Sequence, residues 1–194
     1  MDELIKSVYI NDLSLQNVKD LTRDKVPVIL YDNLNINDDI LSIIGDRSFL
    51  LFPVSANSPS GHWIAIIYRK ETHTIEYWDP YGFTIDQELR FSTNPSVERN
   101  VLGKLFLKAQ QQYSVKIEYN TFKYQKLITG NNTCGKHCSF RLRMHFLTNI
   151  QYSKLMLNQT MSADWLVSII SFLKLFKTGE EEMETVKEYL HIKD

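Results

Sequence analysis

Three short segments of this chain contain the residue types of a thiol nucleophile, a general base and a carboxylate that orients the base. They are Gly61-His62-Trp63, Trp78-Asp79-Pro80-Tyr81-Gly82 and Cys134-Gly135-Lys136-His137-Cys138. A thiol attacks a carbonyl as the thiolate, so it needs an imidazole to accept its proton, and the imidazole needs a fixed tautomer. We therefore predict that His62, Asp79 and Cys134 form the catalytic set of a cysteine peptidase.

The spacing of His62 and Asp79 supports this set because the two residues flank a predicted hairpin. Aromatic and β-branched runs predict strands over Trp63–Arg69 and Thr74–Trp78, and the four residues between them form the turn. If the turn is centred between residues 70 and 71, His62 lies directly opposite Asp79. Opposed residues have Cβ atoms about 4.5–5.5 Å apart. The carboxylate would then reach the imidazole.

Cys134 lies at the predicted start of a helix over Cys134–Leu147, with Thr133 as its N-cap. The positive end of a helix dipole favours the thiolate form of a cysteine placed there. The backbone N–H of Cys134 would point outward as one donor of an oxyanion hole. Gly135 would let a substrate backbone approach closely. Cys138 lies one turn deeper, and we expect it to pack in the core.

Zinc binding by Cys134, His137, Cys138 and His145 is an alternative interpretation of the same helix. A structural zinc site needs four ligands, and two of them usually form a second pair at a distance along the chain. This sequence lacks such a distant pair. We therefore expect no metal. The helix also contains the basic residues Lys136, Arg141 and Arg143. They could form a basic strip, but a solvated helix face is the simpler interpretation.

The composition is that of one soluble globular domain over residues 1–194. Apolar residues make up 43% and charged residues 23% of the chain. The net charge of −1 gives no general reason to bind nucleic acid, although it does not decide whether a local patch binds DNA. We expect no signal peptide and no membrane segment. Two cysteines four positions apart suggest a reducing, intracellular compartment.

The remaining pattern predicts strands in the middle of the chain and helices on either side, which indicates an α+β domain. The further predicted strands are Val26–Tyr31, Phe49–Val54 and Ser114–Tyr119. The further predicted helices are Ser14–Leu21, Asp38–Ile44, Pro95–Gln112, Ala163–Phe176 with Ser162 as N-cap, and Glu181–Leu190.

In order and spacing, the three segments resemble those of the adenovirus maturation protease (adenain) family, a clan relative of the SUMO-processing Ulp proteases. Relatives of this family are encoded by virophages and by Polinton/Maverick elements. The resemblance is strongest over Gly61–Gly82 and Thr133–Phe146, and Asn158-Gln159-Thr160-Met161 is weakly similar to an Asn-Pro-Thr-Met stretch of the adenoviral enzymes. It implies a central mixed β-sheet flanked by helices, with the nucleophile at a helix N-terminus. The adenoviral enzymes have Glu where Asp79 stands.

The resemblance also implies the rest of the site. Family members have a Gln shortly before the nucleophile, whose amide completes the oxyanion hole. Here Gln125 is nine positions before Cys134, so the donor is either Gln125, which we favour, or Asn131 or Asn132. Trp63 would wall a narrow substrate cleft that favours Gly or Ala before the scissile bond.

By resemblance, the protein is a cysteine endopeptidase that cleaves viral capsid or scaffold precursors and is packaged in the virion. We expect it to be a monomer. Adenoviral enzymes are tethered through a disulfide to a peptide cofactor and stimulated by DNA. This chain has no cysteine beyond Cys134 and Cys138, so no cofactor is required by the sequence. Two alternatives remain: a protease that removes a ubiquitin-like modifier, and an inactive relative that binds capsid or scaffold. The sequence does not give the cleavage site.

Overall fold

The computed structural model describes residues 26–54, 61–91, 100–120, 122–128, 130–157 and 161–176. The chain divides into two compact units, one over Lys25–Lys123 and another that contains the described residues from Tyr124 onward. The predicted helices Ser14–Leu21 and Glu181–Leu190 lie outside the described residues. The expectation of a single peptidase domain stays a prediction.

The first unit contains a five-stranded mixed sheet. Its strands are β1 (Val28–Leu30), β2 (Arg47–Pro53), β3 (Gly61–Arg69), β4 (Thr74–Trp78) and β5 (Lys116–Tyr119). They lie side by side in chain order. The two outer pairs, β1 with β2 and β4 with β5, are parallel, whereas β2, β3 and β4 form an antiparallel meander.

Two α-helices of the first unit cover one face of this sheet. They are α1 (Ile40–Ile44) and α2 (Val101–Tyr113). Asp39 caps α1 because its carboxylate accepts the N–H of Leu41 at 3.2 Å. Apolar side chains from both helices and from alternate strand positions form one buried cluster, which includes Leu50, Phe52, Ile64, Ile66, Ile75, Tyr77, Ile40, Ile44, Leu102, Leu105 and Phe106. The even-numbered residues of β3 therefore lie on the face of the sheet that this core covers.

The second unit contains three α-helices: α3 (Cys134–Arg143), α4 (Asn149–Leu157) and α5 (Ala163–Phe176). The predicted cap of α5 is confirmed, because the N–H of Trp165 donates to the hydroxyl of Ser162 at 3.3 Å. The predicted bounds of α5 are confirmed as well. Helix α4 was not predicted.

The predicted register of the β3–β4 hairpin is wrong by two residues. Arg69 pairs with Thr74 and Ala65 with Trp78, so the turn is centred between residues 71 and 72. The turn uses all four intervening residues as a short 3₁₀ segment, Lys70–Thr72, followed by His73 in the left-handed region at φ 48°. A shift of two residues leaves every side chain on its predicted face, because side chains alternate along a strand with a period of two.

Two expectations for α3 are also wrong. The helix ends at Arg143 rather than Leu147. Arg141 does not lie on a solvated face: it is fully buried, and its guanidinium donates to the carbonyls of Met144 and Leu147 at 2.7 and 2.9 Å. Lys136 is also buried. The guanidinium binds carbonyls that follow the helix, which explains why the chain turns there before α4 begins.

The described residues therefore form an α+β fold with a mixed sheet and helices, as the sequence predicts, and Cys134 is the first residue of a helix. None of the helices in the described ranges is long and apolar enough to cross a membrane.

Candidate active site

His62 and Asp79 form a hydrogen-bonded pair in the first unit. His62 Nε2 lies 2.9 Å from Asp79 Oδ2, and the side chains are 14% and 0% exposed. His62 is the second residue of β3, and Asp79 directly follows β4. In the observed register the two residues are diagonal rather than opposed. Diagonal neighbours on one face remain within reach of long side chains, so the imidazole still meets the carboxylate.

A tight turn after β4 aims the Asp79 carboxylate. The N–H of Gly82 donates to the Asp79 carbonyl at 2.9 Å, and the N–H of Tyr81 donates to Asp79 Oδ1 at 2.6 Å. Asp at the first position and Pro80 at the second suit such a turn. Gly82 has φ 71°, a conformation that glycine adopts without strain. One carboxylate oxygen thus binds the turn while the other binds His62.

The ring of Tyr81 stacks on the His62 imidazole. The ring centroids are 4.8 Å apart and the planes are inclined by 22°. The stack restricts rotation of the imidazole, and the hydrogen bond to Asp79 fixes which ring edge faces the acid. Both contacts come from the one segment Asp79-Pro80-Tyr81, so the sequence motif positions the base as well as the acid.

Asn120 holds Asp79 and was missed by the sequence reasoning. Its side-chain oxygen accepts the N–H of Asp79 at 2.8 Å, and its amide nitrogen donates to the Asp79 carbonyl at 2.6 Å. Asn120 directly follows β5, whose parallel pairing with β4 puts Tyr119 beside Tyr77. A polar residue just past the end of a strand next to β4 is the signal that could have indicated it.

Burial and hydrogen bonding shift the pKa of Asp79 in opposite directions. Burial favours the neutral acid, but the charge and hydrogen bond of His62, with donors from Glu88 and Tyr81, lower the pKa of Asp79 below its usual value. An ionised Asp79 only accepts hydrogen bonds, so the Nε2 atom of His62 carries the hydrogen. When the imidazole is neutral, Nδ1 is then the ring nitrogen that carries the lone pair.

Glu88 is a second buried carboxyl beside Asp79. Burial, followed by the hydrogen bond to Asp79 and the charge of Asp79, raises the pKa of Glu88 to about 9. Its Oε1 accepts the Tyr77 hydroxyl at 2.6 Å. Glu88 is therefore a neutral acid at pH 7 beside the Asp79 carboxylate.

Cys134 is partly exposed at the first position of α3 in the second unit. Thr133 occupies the N-cap position, but its hydroxyl does not cap the helix. It lies instead 2.5 Å from Asp164 Oδ1, which corrects the prediction of a side-chain cap. Cys138 is completely buried, as predicted.

Gln125 and Asn131 are buried in the segment that precedes Cys134. The Gln125 amide nitrogen donates to the carbonyl of Asn131 at 2.9 Å. The Asn131 amide nitrogen donates to the carbonyl of Lys126 at 2.7 Å and to Asp164 at 3.2 Å, so both of its hydrogens are used. Asn132 is half-buried.

The two residues predicted to bind substrate are largely buried. Trp63 is 5% exposed and packs edge-to-face on Phe49, with the ring centroids 5.7 Å apart. Gly135 is buried within α3, where its carbonyl accepts the hydroxyl of Ser139 at 2.7 Å. His137, a ligand in the zinc alternative, is buried against Asp164, 3.0 Å from its carboxylate.

In the part of the chain that the structure describes, no group of three or more His, Cys, Asp or Glu side chains could hold a metal ion. The structure brings His62 and Asp79 together in the first unit. The second unit contains Gln125, Cys134 and Gly135.

Comparison with known proteins finds a solved structure with a similar fold and a protein with a similar sequence. The crystal structure of ASFV pS273R protease superposes with a TM-score of 0.52 at 13% identity, covering 87% of this chain and 68% of that chain. The fold is similar to that of a viral protease. The uncharacterized protein V9 of Sputnik virophage is 28% identical in an alignment of 155 positions that covers 75% of this chain and 85% of the virophage protein. No family model matches the chain.

Proposed function

We propose that this protein is a cysteine endopeptidase with Cys134 as nucleophile, His62 as base and Asp79 as orienting acid. The observation that supports this most strongly is the His62–Asp79 pair, held by a turn and by Asn120 in a fold similar to that of a protease. A buried carboxylate that fixes the tautomer of a partly exposed imidazole is the arrangement that general-base catalysis requires.

In the proposed reaction, Nδ1 of His62 takes the proton of the Cys134 thiol while Asp79 holds the Nε2–H. The thiolate attacks the peptide carbonyl carbon, and the resulting imidazolium returns its proton to the amine as the carbon–nitrogen bond breaks. Water, deprotonated by the same nitrogen, then hydrolyses the thioester and restores the thiol. Asp79 keeps the imidazole oriented throughout and stays ionised.

The backbone N–H of Cys134 and the amide of Gln125 are the proposed oxyanion donors. The hydrogen bonds of the loop favour Gln125 over Asn131, because both amide hydrogens of Asn131 are already donated to Lys126 and Asp164. Gln125 donates to one acceptor and has a second amide hydrogen. Gly135 and Trp63 are the proposed contacts to the substrate backbone.

The proposed substrates are capsid or scaffold precursors of a virus, cleaved after Gly or Ala during virion maturation by enzyme packaged in the particle. The virophage relative supports a viral setting. We propose that the enzyme acts as a monomer without a metal.

Co-expression with the structural proteins of the virus that encodes this chain tests the proposal. We expect new fragments whose N-termini, read by sequencing, follow Gly or Ala, and we expect none with Cys134→Ser. Cys138→Ser is the matched control, because that cysteine is buried and has no proposed chemical role. Absence of cleavage by the wild type, together with rapid release of a fluorophore from the C-terminus of ubiquitin or SUMO, would overturn the proposal in favour of deconjugation.

A further inference from the structure

One buried carboxylate, Asp164, binds the segment on both sides of the proposed nucleophile. Asp164 is 1% exposed and lies in the first turn of α5. Its Oδ2 accepts the backbone N–H of Lys126 at 3.1 Å and the amide of Asn131 at 3.2 Å. Its Oδ1 lies 2.5 Å from the hydroxyl of Thr133 and 3.0 Å from His137 Nε2.

The protonation states of Asp164 and His137 are consistent with these hydrogen bonds. Burial opposes ionisation, but the hydrogen bond from His137, the charge of His137 when it is protonated, and donors from Thr133 and Lys126 lower the pKa of Asp164. Burial lowers the pKa of His137, so its imidazole is neutral at pH 7 and its Nε2–H donates to the carboxylate. Asp164 is therefore an anion whose charge is stabilised by donors from the nucleophile segment.

The same network reaches both proposed oxyanion donors. Asn131, held by Asp164, accepts the Gln125 amide on its carbonyl at 2.9 Å. Thr133, also held by Asp164, directly precedes Cys134 and accepts the N–H of His137 on its carbonyl at 2.9 Å. Displacing the carboxylate would thus disturb the Gln125 amide and the Cys134 N–H together.

We infer that Asp164 is a positioning residue for the oxyanion hole. It acts through Asn131, Thr133 and His137 and touches neither the thiol nor the substrate. The inference rests on the proposed function, because an oxyanion hole has a role only if Cys134 attacks a carbonyl.

Two reactions of the intact protein distinguish this role from simple structural support. Iodoacetamide alkylates a thiolate by displacement at carbon and forms no oxyanion. p-Nitrophenyl acetate acylates the thiolate through a tetrahedral oxyanion and releases p-nitrophenol. We expect Asp164→Asn to slow acylation of Cys134 about 10- to 100-fold, because misplaced donors stabilise the oxyanion poorly, while alkylation changes less than about threefold.

Ser168→Ala is the matched control. It removes a hydrogen bond to the backbone carbonyl of Asp164, one turn along the same helix, and leaves the carboxylate in place. We expect it to leave both rates unchanged. Equal rates of acylation in folded Asp164→Asn and the wild type would overturn the inference, as would an equal loss in both reactions. A wild type that neither reagent modifies at Cys134 would instead overturn the proposed function, and the inference with it.

A gentler pair of variants covers the case in which Asp164→Asn does not fold. Thr133→Val removes one donor to the carboxylate at nearly constant shape, and Thr133→Ser keeps the hydroxyl. We expect slower acylation with unchanged alkylation in Thr133→Val, and wild-type rates in Thr133→Ser. Identical acylation rates in the two variants would contradict the role of this network.

Discussion

The side-chain amide of Asn120 bridges the backbone of Asp79, accepting its N–H at 2.8 Å and donating to its carbonyl at 2.6 Å. The same amide nitrogen donates to the Phe122 carbonyl at 3.1 Å. Asn120 is 4% exposed, so water does not replace these bonds. The position of the proposed orienting acid thus depends on a residue forty-one positions further along the chain.

Asn120→Ala should destabilise the protein by about 2–3 kcal/mol, because buried backbone groups of Asp79 lose their partners. Chemical denaturation monitored by fluorescence measures this loss. Gln112→Ala, on the exposed side of α2, is the control and should change the free energy of unfolding by less than about 0.5 kcal/mol. Similar losses in both variants would show that the bridge contributes nothing specific.

Asp79→Asn should slow alkylation of Cys134 at pH 7 about 100-fold or more. An amide in place of the carboxylate can donate to Nε2, which would favour the wrong imidazole tautomer. Rates of iodoacetamide labelling, read by mass spectrometry, test this. Glu118→Gln makes the same chemical change at an exposed position of β5 and should label at the wild-type rate. If Asp79→Asn also labels at that rate, Asp79 does not orient the base.

Glu88 makes stability depend on pH. Its folded pKa of about 9 is above the ordinary value of 4.5. Both states are protonated at pH values below 4.5, whereas between 4.5 and 9 only the folded state keeps the proton. The free energy of unfolding should therefore fall by a few kcal/mol as pH rises through this window.

Glu88→Gln should flatten this dependence, because an amide can accept from Tyr77 without titrating. Denaturant unfolding at pH 5, 7 and 9 measures the slope. Glu71→Gln, in the exposed hairpin turn, is the control and should keep the wild-type slope. An unchanged slope in Glu88→Gln would mean that Glu88 is already ionised in the folded protein.

Gly82→Ala should lower the free energy of unfolding by about 1 kcal/mol more than Gly45→Ala does. Both glycines have positive φ, 71° and 58°, so each substitution strains the backbone. A Cβ at Gly82 would also lie 3.0 Å from the Phe122 carbonyl oxygen, whereas nothing lies within 4 Å at Gly45. Comparison of the two unfolding midpoints measures the added contact. Equal losses would show that the turn relaxes without cost.

The elements that carry strong local patterns could be predicted from the sequence. Alternating β-branched and aromatic residues give the bounds of Thr74–Trp78, and a serine before an apolar period gives the start of Ala163–Phe176. The hairpin register could not be fixed in this way, because it depends on the left-handed conformation of His73.

The sequence did not predict the burial or the roles of residues whose surroundings are formed by other parts of the chain. Arg141 has the composition of a helix surface, but its guanidinium is enclosed by carbonyls of the following turn and by the Tyr152 ring, 4.9 Å away. Asn120 and Asp164 are separated along the chain from the residues they hold, so local patterns give no sign of their roles. The pairing of His62 with Asp79 was found because a two-residue shift keeps the side chains on one face.

The rate at which iodoacetamide labels each cysteine near neutral pH tests whether His62 activates Cys134. Wild type, His62→Ala and Cys134→Ala would be compared, with the labelled residue mapped by mass spectrometry. We predict rapid labelling at Cys134 that falls about 100-fold in His62→Ala. Equally slow labelling of Cys134 and Cys138, unchanged by the loss of His62, would contradict a thiolate activated by that histidine.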